Sequence, residues 1–240
     1  MFRKVSAVLI ASVLVTMSFG ASLASAKTNE AEALRVRTPL NIAILVQDDL
    51  VSHVGNELGV TRDFIRSLPA GSRVMVGYIT VGTLQTRQPF TTDLDLAAKS
   101  LRLPISSTSA SAYNPYVEVI EAMKKFDSGW KGPNAVLLIS DGLDVSRGFD
   151  ATTAGHTLDI DRAINEANKR DVAIYSFYAP SVGLTSYSRL AASYGQSSLN
   201  RVSHETGGRA FFQGTTGFVT FDSYFNRLRA ELNRQYATAS

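Results

Sequence analysis

Three histidines, His53, His156 and His204, are the only side chains whose ordinary pKa suits proton transfer near neutral pH. None stands in a catalytic spacing. A serine hydrolase would carry its nucleophile in a Gly-x-Ser-x-Gly elbow, and a nucleotide enzyme a Walker A or Gly-x-Gly-x-x-Gly phosphate loop. A zinc protease would show His-Glu-x-x-His. The sequence contains none of these. Cysteine is absent, which excludes thiol nucleophiles and cysteine-ligated zinc. His53 and His156 could meet beside Asp141 and, with a cation, support hydrolysis, whereas His204 reads as a surface or capping residue. The expectation is therefore a binding protein and not an enzyme, with a metal-assisted hydrolase as the alternative.

The remaining polar candidates sit where apolar runs stop. Asn41 to Val46 and Asn134 to Ser140 are continuous apolar segments of the kind buried on both faces of a parallel sheet. Asp48-Asp49 follows the first, and Asp141-Gly142-Leu143-Asp144 follows the second. Between and after them the pattern alternates. Helical spacing runs from Val54 to Leu68, a strand covers Arg73 to Thr80, and an antiparallel edge partner follows near Leu84 to Phe90. Helices are expected over Asp93 to Leu103, Pro115 to Phe126 and Leu158 to Arg170. A strand over Asp171 to Ala179, helical sequence within Ser186 to Thr206, a short strand at Arg209 to Phe212 and a helix from Val219 to Gln235 complete the order. Such alternation predicts an α/β fold: a doubly wound, mostly parallel sheet with helices on both faces and one antiparallel edge strand. The loops at Asp48 to His53, Ser106 to Asn114, Asp141 to Gly155 and Pro180 to Tyr187 then share the carboxyl edge of the sheet, where ligands bind such folds.

Two stretches carry a family likeness. Ala135-Val-Leu-Leu-Ile-Ser-Asp-Gly-Leu-Asp144 resembles the fourth strand of von Willebrand factor A (VWA) domains. Val202-Ser-His-Glu-Thr-Gly-Gly-Arg-Ala-Phe-Phe212 resembles the turn into the last strand of the bacterial, acidobacterial-type VWFA-related family. In that turn one glycine can cap the helix in the left-handed region while the next lets the chain enter the strand. The resemblance spans residues 40 to 236 and implies a VWA-like three-layer sandwich that binds proteins.

It also implies a place for a metal-ion-dependent adhesion site, in which Asp-x-Ser-x-Ser joins a threonine and an aspartate from later loops around a hard cation. The preferred frame sets Asp48 and Ser52 at the outer ligand positions with Leu50 between them. The frame one residue earlier sets Gln47, Asp49 and Val51 there. The nearest hydroxyl before Pro115 is Ser111 or Tyr113, and Asp141 fits the last position. So thin a donor set implies a degenerate site holding Mg2+ weakly if at all, or a strand-end loop whose aspartates cap helices and turns. Asp49, His53, Tyr113, Asp144 and Phe149 are the expected partner-binding rim.

Arg3 and Lys4, the apolar run to Phe19 and the small residues Ala24-Ser25-Ala26 form a secretory leader with cleavage expected after Ala26. The expected organisation is a signal peptide over 1–26, a polar segment over 27–39, the domain over 40–236 and a tail over 237–240. No membrane span is expected after cleavage, and the location is the periplasm or the exterior. Without Arg3 and Lys4 the 24 basic residues become 22 against 21 acidic ones. That near balance argues against nucleic acid as a partner and leaves a protein. The function expected is adhesion or scaffolding, with a structural subunit of an envelope assembly as a further alternative.

Overall fold

The computed structural model describes residues 35–149, 157–214 and 220–236. The expected signal peptide, His156 and the tail lie outside them. Six strands form one sheet: β1 (Asn41–Gln47), β2 (Arg73–Thr80), β3 (Thr83–Thr91), β4 (Asn134–Ser140), β5 (Val172–Tyr178) and β6 (Ala210–Phe211). Their order is β3-β2-β1-β4-β5-β6, all parallel except β3, which pairs antiparallel at the edge. The expected architecture is thus the observed one.

The apolar runs explain the layering. Ile42, Ile44 and Val46 of β1 and Ala135, Leu137 and Ile139 of β4 face one core. Ala43, Leu45, Val136 and Leu138 face the other, because successive strand residues point to opposite faces. The first core is covered by α1 (Val54–Arg66), α2 (Leu94–Lys99) and α6 (Asp222–Tyr236), where Phe64 and Phe225 stack at 4.6 Å. The second is covered by α3 (Pro115–Met123), α4 (Leu158–Lys169) and α5 (Arg189–Glu205). Proline at the first turn of α3 and the Asn114 side chain accepting from the Tyr116 amide start that helix.

Several boundaries differ from expectation, and two of the differences have a visible physical cause. The helix expected over Asp93 to Leu103 ends at Lys99. Beyond it, the Tyr78 hydroxyl donates to the Arg102 carbonyl at 2.5 Å and accepts from the Arg102 amide at 2.8 Å, while Arg62 donates to the Leu101 carbonyl at 2.9 Å. These tertiary bonds satisfy the backbone outside a helix and outweigh local propensity. The compact unit also begins earlier than residue 40: Val36 is buried in the first core, and the Arg37 amide donates to Asn233 Oδ1 at 3.0 Å. Among the described residues no helix is long and apolar enough to cross a membrane.

The Thr206-Gly207-Gly208 turn performs as its composition implies. Gly207 lies at φ +77°, and a Cβ on Gly208 would fall 2.0 Å from the Ile174 carbonyl oxygen.

Candidate functional site

The chain leaves β1 for β2 on one side, while β4 lies on the other, so the sheet reverses direction of growth between β1 and β4. Loops diverge at the carboxyl ends of these two strands and leave a cleft of about 210 Å3. Gln47 and Asp49 line it from the β1 side, Asp141 from β4, Ser111 and Tyr113 from the loop before α3, and Tyr187 from the loop after β5.

Alternation along the end of β1 decides which side chains reach the cleft. Gln47 Oε1 accepts from Ser140 Oγ at 2.5 Å and from the Asp141 amide at 3.2 Å, and its Nε2 donates to Asp49 Oδ1 at 2.8 Å. Asp48 points the other way. Its two oxygens accept from Nη1 and Nη2 of Arg102 at 2.7 and 2.6 Å, and Oδ1 also accepts from the Ile105 amide at 3.0 Å. The guanidinium lies over the Tyr78 ring, 4.0 Å from its centroid. Arg102 is held more firmly protonated still by this carboxylate. Leu50, between the outer positions of the preferred frame, is buried in the first core.

The loop itself is stitched on both sides. The Ser106 amide donates to the Asp48 carbonyl at 2.9 Å, the Val51 amide to the Pro180 carbonyl at 3.0 Å, and the Val182 amide to the Asp49 carbonyl at 2.8 Å. Asp141 is equally constrained: Oδ1 accepts from the Leu143 amide at 3.1 Å and Oδ2 from Thr185 Oγ1 at 3.2 Å. Behind it α5 comes so near that a Cβ on Gly195 would stand 1.9 Å from the Asp141 carbonyl oxygen.

Of the site residues expected from sequence, Asp49, Ser111, Tyr113 and Asp141 are brought together at the cleft. The others lie elsewhere. Asp48 is turned toward Arg102, Ser52 and His53 are exposed before α1, and Asp144 accepts from the amide and hydroxyl of Ser146 in a local turn. Phe149 packs beside Tyr194 at 5.9 Å. The frame one residue earlier is therefore the one that faces Asp141. Ser181, Thr185 and Arg102 are functional neighbours that the sequence did not single out, whereas Gln47 stood in the less favoured frame. Gln47 had a signal, since it stands two residues before Asp49 on an extended segment; Arg102 had none, because its partner is 54 positions away.

The donor set does not compose a magnesium site. Gln47 is neutral where the motif has its first acid, Val51 offers no oxygen, and both Asp141 oxygens already accept hydrogen bonds. Octahedral Mg2+ needs more hard oxygens than remain. Among the described residues no group of three or more acids and histidines stands close enough to hold a metal.

Burial and the nearby Asp141 charge raise the Asp49 pKa from 3.8 to about 6. Burial raises Asp141 also, and takes Glu118 of α3, whose Oε2 has no hydrogen bond, to about 7. An acid whose folded pKa exceeds its unfolded one stabilises the fold fully below the unfolded pKa and loses that contribution as pH rises through the folded value. For Asp49 that window runs from about pH 4 to about 6. The domain is thus expected to melt higher at pH 5 than at pH 8. Asp49→Asn should restore about 2 kcal/mol at pH 8, a Tm gain of about 4–8 °C for a domain of this size, and little at pH 4. Melting curves across pH test this; an Asp49→Asn variant no more stable at pH 8 than the parent would refute it.

No family model and no curated protein matches the sequence. Solved structures do. The conserved hypothetical protein BatB from Bacteroides thetaiotaomicron aligns with a TM-score of 0.57 at 13% identity, covering 84% of this chain and 100% of that one. An aerotolerance-related membrane protein from Bacteroides fragilis aligns at 0.52 and 14% identity, covering 81% and 99%. The VWA domain of SpRpn10 gives 0.45 and 11%, covering 83% and 95%. At these identities the likeness concerns the fold alone: a six-stranded, mostly parallel α/β sandwich shared with the two Bacteroides proteins.

Proposed function

We propose that this chain is an exported protein-interaction module of the bacterial VWFA-related type, serving adhesion or scaffolding through a degenerate metal-ion-dependent adhesion site. The observation that carries the reading is the cleft at the carboxyl ends of β1 and β4, with Asp49 and Asp141 inside and Tyr113 and Tyr187 on its rim. Tyr187 is 75% exposed and Tyr113 47% exposed, so two large amphipathic rings stand ready to anchor a partner. The leader-like pattern of residues 1–26 supports work outside the cytoplasm. Binding is favoured over catalysis because His53 stands away from the cleft, and among the described residues lining it neither acid has a histidine or a metal set beside it.

Site-specific photo-crosslinking in the source cells tests the reading. A photoreactive residue in place of Tyr187 or Tyr113 should trap a discrete protein adduct, and one in place of Trp130, beside the opposite end of β4, should not. Adducts from position 130 alone, from all three alike or from none would overturn it.

A further inference from the structure

The cleft combines two carboxylates, and the described residues that line it bring no lysine, arginine or histidine. Asp49 is 4% exposed, and the one side chain among the described residues that donates to its carboxylate is the neutral Gln47, at Oδ1. The nearest guanidinium in the loop, Arg102, is committed to Asp48 on the far side of the strand end. A buried carboxylate that lines a cavity and has no charged donor is a demand for positive charge. Metal is an ill fit for the reasons of coordination given above, and a carboxylate from a partner would meet repulsion from both aspartates.

We propose that the cleft receives a basic side chain, lysine or arginine, from the protein partner, whose cationic head sits between Asp49 and Asp141. This rests on the interaction reading above. The head would donate to the Asp49 carboxylate, and the hydroxyls of Ser111 and Ser181 at the cavity wall supply further acceptors. Its apolar stem would run out past Tyr113 and Tyr187, which suit a (CH2) chain and can add cation–π attraction. The exposed apolar side chains of Val81, Leu103 and Ile105 on neighbouring loops extend the surface for whatever flanks that residue.

Amide NMR titration of the folded chain lacking residues 1–26 tests the proposal. The probes are N-acetyl-lysine N-methylamide, its arginine counterpart, the neutral isostere norleucine, the glutamate derivative and MgCl2. Saturable shifts at Leu143, Val182 and Gly183 are expected with lysine or arginine, weakened about tenfold or more in Asp49→Asn, with none from the other three probes. Equal binding of norleucine would reduce the cleft to an apolar pocket and overturn the proposal, as would saturable Mg2+ binding at the same amides or silence from both basic probes. Adducts at Tyr187 together with such silence would sink the basic side chain and leave the interaction module standing. Basic-probe binding without adducts would do the reverse.

Discussion

Replacing Arg102 by alanine should cost the domain about 3–5 kcal/mol, because it leaves a fully buried aspartate without its counter-charge. Asp48 is wholly inaccessible, and its two oxygens share the two ends of one guanidinium. Without that fork, Asp48 Oδ1 would keep only the Ile105 amide as a donor. Lysine at the same position should recover only part of the loss, since an ammonium cannot offer two parallel donors or lie flat on Tyr78. Asp48→Ala should be milder than Arg102→Ala, because the arginine side chain, 28% exposed, can turn toward solvent. Urea unfolding of the single and double variants measures the coupling directly. A loss below about 1 kcal/mol for Arg102→Ala would show that the pair contributes no more than an exposed one and would overturn this reading.

Gly195→Ala should be comparably damaging, at about 3 kcal/mol or more, although alanine is the better helix former. The added methyl would overlap the Asp141 carbonyl oxygen at 1.9 Å and the obstacle is backbone, so either α5 or the Asp141-Gly142 turn must move. Gly142 has no slack to yield: it lies at φ +73°, and a Cβ placed on it would stand 2.4 Å from the Gly195 carbonyl oxygen. The internal control is Gly59→Ala in α1, where an added Cβ meets nothing within 4 Å. That substitution should raise stability by about 0.5–1 kcal/mol. Thermal melts of the pair give opposite signs if the close approach is real; two stabilised variants would dismiss it.

Much of the architecture was legible because strand burial writes itself as composition. Asn41 to Val46 and Asn134 to Ser140 could hardly be anything but central strands, and the polar Thr83–Thr91 segment with its alternating exposure reads as an edge. The site was legible in place but not in detail. Knowing that the loop after β1 borders the cleft does not say which of Gln47, Asp48 and Asp49 turns inward, because a shift of one residue exchanges the two faces. The deciding contact is Arg102, which reaches Asp48 only because Tyr78 unwinds the end of α2. Interactions of that span leave no periodic trace in the chain.

Thr38 and Tyr236 meet on one side of the sheet. Thr38, just ahead of β1, donates to the Tyr236 carbonyl at 3.4 Å, so the polypeptide enters and leaves the fold at one pole. Each seven-residue strand spans about 20 Å, and the opening between Asp49 and Asp141 lies at the other pole. A tether that holds the domain at Thr38 or Tyr236 therefore grips it at the pole away from the opening.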